Sequence, residues 1–194
     1  MQYSWIVAAI LSSFTLTAQA GGTDETEARY LEESRKTAQE FMQTLGGTLK
    51  QQIETGGIES AIGVCKQVAP ALAAQYSSDT RTVKRVSLKP RNSVQGTPDH
   101  WERMVLEGFD QDQQAGKPPA GMEVTAYGES ADGRWFRYMK AIPAQAMCLK
   151  CHGTEQDIPD GVKALLKAEY PQDQATGYSA GQIRGAISIR QKVQ

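Results

Sequence analysis

Histidine and cysteine are scarce in this sequence, two and three among 194 residues, and His100 stands apart from any partner with which it could form a catalytic triad. There is no P-loop and no nucleophile motif, which excludes the common routes to hydrolysis and group transfer, so no enzymatic activity is expected. Charge of one sign is missing too. The 21 Lys and Arg face 22 Asp and Glu, and they form neither a basic stripe for nucleic acid nor a polybasic patch for a membrane surface. No apolar run is long enough to span a bilayer. Internal repeats and low-complexity tracts are also absent, and the length suits one domain with a real hydrophobic core.

The one pronounced apolar run lies at the start, from Trp5 to Leu16, and is followed by Ala18-Gln19-Ala20, small residues at the positions a signal peptidase inspects. Residues 1–20 therefore read as a cleavable export signal with cleavage near Ala20, and residues 21–194 as one periplasmic or otherwise exported domain. Thiols in such a compartment tend to be oxidised or otherwise committed, so an odd count of three needs an explanation.

From Thr23 onward, Leu31, Ala38, Phe41, Leu45, Leu49 and Ile53 recur at helical spacing, and Gly56-Gly57 stops that helix. Ile58, Ala61, Ile62, Cys65, Val68, Ala69 and Leu72 outline a second helix, bent or shortened by Pro70. Residues 80–88 favour a strand. Thr97 before Pro98 resembles a helix start, with Trp101, Val105, Leu106 and Phe109 as the buried face. "MEVTAY" and "RWFRYMKAI" read as strands joined across Asp132-Gly133, Val162 to Tyr170 as a short helix, and "IRGAISIRQKV" as a closing strand. This order predicts an α+β fold, an antiparallel sheet with long N-terminal helices packed against it.

Three of the five cysteines and histidines lie in "AMCLKCHGTE", residues 146–155. The pattern C-x-x-C-H is the attachment signature of c-type haem. In that chemistry Cys148 and Cys151 add across the two porphyrin vinyl groups, and the imidazole of His152 coordinates iron from the proximal side. A zinc site that recruits Cys65, Cys148, Cys151 and His152, and a simple disulfide, are the alternatives. No Met, His or Cys follows His152, so a distal ligand of ordinary type comes from upstream: Cys65, His100, Met42, Met104, Met122 or Met139. Methionine on an apolar face is more often core filler, and a free cysteine more often a small buried hydrophobe. Cys65, however, is flanked at helical spacing by Ala61 and Ala69, with Ala73 further on, so a flat macrocycle meets little obstruction on this helix.

In "AIGVCKQVAP", "RVSLKPRN", "PDHWE", "CLKCHG" and "YPQDQATGYSAGQIRGAIS" the sequence resembles a family of bacterial and cyanobacterial c-type haem domains of PAS-like fold, long catalogued as a domain of unknown function. The resemblance covers nearly all of the chain after residue 20. It implies one covalent haem c held by Cys148 and Cys151, with His152 proximal and Cys65 as an unusual distal ligand, and it implies redox sensing rather than turnover. A thiolate ligand stabilises ferric iron, so a low potential is expected, and its loss on reduction would admit a small gas such as carbon monoxide or nitric oxide. Lys89 and Arg91 are candidate partners for the haem propionates, with solvated surface charges as the alternative, and Tyr178 is a candidate for the haem edge. A redox or signalling partner protein would receive the signal. A low-potential electron carrier, a four-helix cytochrome and a zinc- or disulfide-stabilised binding protein remain as alternatives.

Overall fold

The computed structural model describes residues 21–193, so the export signal expected in residues 1–20 lies outside the described residues. Helix α1 (Gly21–Gly63) passes Gly46-Gly47 and leaves helical geometry at Gly57, with φ 78° and ψ 170°. Glycine reaches this conformation without a Cβ penalty. Ser60 bridges the break by donating from Oγ to the Gly57 carbonyl at 2.7 Å. A Cβ on Gly56 would fall 2.6 Å from that same hydroxyl, so both glycines of the expected stop are needed there.

The helical path then widens into a π-turn, Val64–Val68, before α2 (Ala69–Tyr76). The Ala69 N–H reaches back five residues to the Val64 carbonyl. Pro70 follows with no N–H of its own to continue the ladder. The bend expected from Pro70 thus takes the form of a π-turn, and Cys65 sits inside it.

The remaining elements are β1 (Arg81–Val86), α3 (Ser93–Gly96), α4 (His100–Gln114), β2 (Glu123–Ser130), β3 (Gly133–Pro143), α5 (Leu149–His152), α6 (Asp160–Glu169) and β4 (Ile183–Lys192). The strands form one antiparallel sheet in the order β1-β4-β3-β2. β2 and β3 meet in a hairpin in which Ser130 pairs with Gly133, and Asp132 closes the turn by accepting from Ser130 Oγ and from Trp135 Nε1 at 3.1 Å.

Helix α4 starts two residues later than Thr97 suggests. Asp99 is its cap: Asp99 Oδ1 accepts the Glu102 N–H at 2.9 Å, and Glu102 Oε2 accepts the Asp99 N–H at 2.7 Å. This reciprocal capping box satisfies two otherwise orphaned donors. Thr97 instead donates to the Ser93 carbonyl at the end of α3, a short helix lying in what reads as loop.

Alternation along the strands covers both sheet faces. Phe136 and Tyr138 of β3, with Ile187 and Ile189 of β4, pack against Tyr30, Ala38 and Phe41 of α1. Met139 and Ala141, with Ala186, pack on the other face against Val105, Leu106 and Phe109 of α4. Each large side chain so buried is worth about 1.5–3 kcal/mol. A third cluster joins Ile62 near the end of α1 to Ile158, Val162, Leu166 and Tyr170, with Cys151 and Ile58 packed against it. That cluster draws the CLKCH segment towards the helix that leads into the π-turn. None of the described helices is long and apolar enough to cross a membrane.

Candidate functional site

A 3-10 turn (Ala146–Cys148) runs directly into α5, so Cys148 and Cys151 are three residues apart on consecutive helical turns. Gly153 ends the segment. Its N–H donates to the Leu149 carbonyl at 2.8 Å, and a Cβ there would lie 2.6 Å from that oxygen. All three cysteines are free thiols and half-buried. Burial pushes the Cys151 thiol up to about 11; Arg91 opposes this, while Cys65, Cys148 and Asp173 add to it. Burial also raises Tyr170, to about 12, with Cys65 again contributing. Lys66, next to Cys65, donates to Glu169, next to Tyr170, so the π-turn lies against the end of α6 although the chain separates the two widely.

The segment before β4 straps the motif from outside. The Tyr178 N–H donates to the His152 carbonyl at 2.9 Å, and the Gly177 N–H to the Gly153 carbonyl at 2.7 Å. Within the strap, the Ala175 carbonyl lies 2.7 Å from His152 Nδ1. Arg184 Nε lies 3.2 Å from the same nitrogen, which cannot both donate and accept. The carbonyl, closer and able only to accept, takes the Nδ1 proton, while Arg184 Nη1 donates to Ser87 Oγ at 3.0 Å. His152 Nε2 then carries the free lone pair and has no hydrogen bond among the described residues. Burial, reinforced by Arg184, Arg91 and Arg85, holds His152 well below its ordinary pKa, so the ring is a neutral imidazole.

Arg91 is buried and ion-paired with Asp173. Its Nε bonds Asp173 Oδ2 at 2.9 Å, and its Nη2 donates to the carbonyls of Cys151 and, at 3.4 Å, Ala175. It therefore ties α5 to the strap that orients His152. Lys89 donates to the Thr176 carbonyl and sits 4.4 Å above the ring of Tyr178. Tyr178 presents its ring at 89° to that of His152, with centroids 6.5 Å apart. Lys89, Arg91, Tyr178, Cys65, Cys148, Cys151 and His152 thus fall in one region. Arg85 and Arg184 join them, and nothing in the local sequence singles these two out.

The other upstream donors lie elsewhere. Met122 and Met139 are in the α4-side cluster, Met42 packs against the α1-side cluster, and His100 and Met104 are exposed. Among the described residues no three His, Cys, Asp or Glu side chains converge as a metal-binding group, so the four-ligand zinc alternative has no cage. A disulfide is not formed either. The donor set that remains is one imidazole with a free Nε2, paired thiols one turn apart, a third thiol nearby and an excess of cations. This set fits a haem.

The sheet order, the helices on both faces and the strapped Cys-x-x-Cys-His turn define an α+β domain of PAS-like kind. The chain matches the Tll0287-like family over residues 17–191 and belongs to it. The crystal structure of the cyanobacterial heme-protein Tll0287 has the same fold, with a TM-score of 0.56 and 23% sequence identity, over 90% of this chain and 99% of that one. No curated protein matches the chain.

Proposed function

We propose that this protein is an exported monohaem c-type cytochrome with His152 and Cys65 as axial ligands, acting in redox sensing. The observation that carries the proposal is the bond from His152 Nδ1 to the Ala175 carbonyl at 2.7 Å. Metal-bound histidines are held in this way, with the second nitrogen fixed as donor and the first left to the metal. The heme-protein of the same fold adds support. When bound, the haem supplies one-electron chemistry.

The chain's own residues prepare the site. The S–H groups of Cys148 and Cys151 would each add across one vinyl group, forming two thioethers with no leaving group. Gly153 allows the tight turn after His152, and Arg91 locks that turn to the strap. Cys65, as thiolate, would neutralise the positive ferric core and favour the oxidised state, giving a low potential. Cys65 is also the ligand that reduction would weaken, leaving room for carbon monoxide or nitric oxide. A partner protein would take up the redox signal. A low-potential electron carrier is the second reading, favoured by the same thiolate. No substrate turnover is proposed.

The test is expression with c-type maturation in a host that exports the chain. Ferric and dithionite-reduced spectra, a pyridine haemochrome, intact mass and the mature N-terminus are then recorded. The proposal expects one covalent haem per chain, a low-spin ferric spectrum with a thiolate charge-transfer feature, and cleavage near Ala20. A colourless mature protein under those conditions would overturn it.

A further inference from the structure

Arg184 lies beside His152 without a counter-ion. Its guanidinium bonds Ser87 Oγ at 3.0 Å and stands 5.5 Å from the centroid of the Tyr178 ring, and it makes no ion pair among the described residues. Arg85 is half-buried and likewise unpaired among them. Arg85 lies two residues before Ser87 and so shares its side of the extended chain, and Arg184 Nη1 bonds that same Ser87 hydroxyl, which brings the two arginines to one side of the β1–β4 pair. Asp173 is the carboxylate nearby, and Arg91 already holds it at 2.9 Å. Two like charges brought together in a poorly solvated place oppose folding unless an anion joins them.

We infer that Arg85 and Arg184 form a carboxylate site that receives a haem propionate, and that Arg184, through its contact with the proximal His152, is a positioning residue for that ligand. The inference rests on the haem reading above and adds to it. It places the propionate at two arginines that make no ion pair among the described residues, whereas the charge of Arg91 is already met by Asp173. Guanidinium suits the role because its planar fork binds both oxygens of a carboxylate and stays charged when buried.

The test uses the haem-loaded protein. Haem content is first established by pyridine haemochrome, so that failure to attach haem counts against the function proposed above and not against this inference. Midpoint potentials are then measured for wild type, R85Q, R184Q, R184K and the double glutamine variant. Loss of a cation near the iron should favour the ferric state. R184Q should therefore shift the ferric-to-ferrous ratio at a fixed potential about tenfold, which is about 59 mV for one electron. R85Q, which leaves the Ser87 anchor and His152 untouched, should move the potential in the same direction and serves if R184Q does not fold. R184K should recover part of the shift. Because the two arginines share one anion, the double variant should fall short of the sum. Added phosphate at constant ionic strength should leave the wild-type potential unmoved. A phosphate response would put a soluble anion at the site and overturn the assignment, as would haem-loaded R85Q and R184Q proteins with wild-type potentials.

Discussion

Replacing Arg91 with methionine should unfold the architecture around His152 while leaving both sheet faces intact. The side chains of Arg91 and Asp173 are only 7% and 11% exposed, and their ion pair spans 2.9 Å. Breaking such a pair from one side leaves a buried charge without compensation, which costs about 3–5 kcal/mol. The Cys151 carbonyl also loses its donor, a cost of about 1 kcal/mol that overlaps with the first. A total near 4 kcal/mol follows, or a fall in Tm on the order of 10 °C for a chain of this length. Urea unfolding followed by circular dichroism measures it. R91M combined with D173N should regain a substantial part of the loss, because the double variant buries no lone carboxylate. The ferric spectrum should report the second consequence, since the strap holding Ala175 against His152 loses its tie. A loss below about 1 kcal/mol in R91M, or no recovery in the double variant, would refute the view of Arg91 as the clamp of this site.

Cys65→Ser should raise the midpoint potential and remove the thiolate charge-transfer feature; an unchanged redox titration would take Cys65 out of the coordination sphere. Gly185→Ala places a Cβ 2.3 Å from the Val86 carbonyl and should destabilise the β1–β4 pairing by about 1–3 kcal/mol, read by urea unfolding. The bond from Arg35 holds the Glu123 carboxyl below its ordinary value of 4.5, and the Tyr138 hydroxyl helps, against the effect of burial. Its stabilising contribution is therefore full above about pH 4.5 and is lost as pH falls through the lower folded value. Wild type and E123Q should accordingly differ in urea midpoint at neutral pH and converge in acid. A difference that stays constant down to pH 2 would contradict this.

The parts whose chemistry is local are legible in the residues alone. Helical spacing marks α1 and α4 and the helical run through the π-turn into α2, Asp132-Gly133 marks the hairpin, and apart from α3 the run of elements follows the expected order, because hydrophobic period and turn chemistry act over a few residues. The C-x-x-C-H turn was legible for the same reason, since its residue types and spacing suffice to suggest a cofactor. The capping box at Asp99 and Glu102 was equally visible in "PDHWE", but Thr97-Pro98 competed with it and read as the start. Long-range packing sets the rest. The Ala175 carbonyl that sets the His152 tautomer is a backbone group with no signature in residue type. Arg91 reads as a free cation until folding brings Asp173 beside it. Arg184 reaches Ser87 only because β4 inserts next to β1 in one register, and strand order and register are settled by the packing of two opposite sheet faces, which no short stretch of sequence encodes.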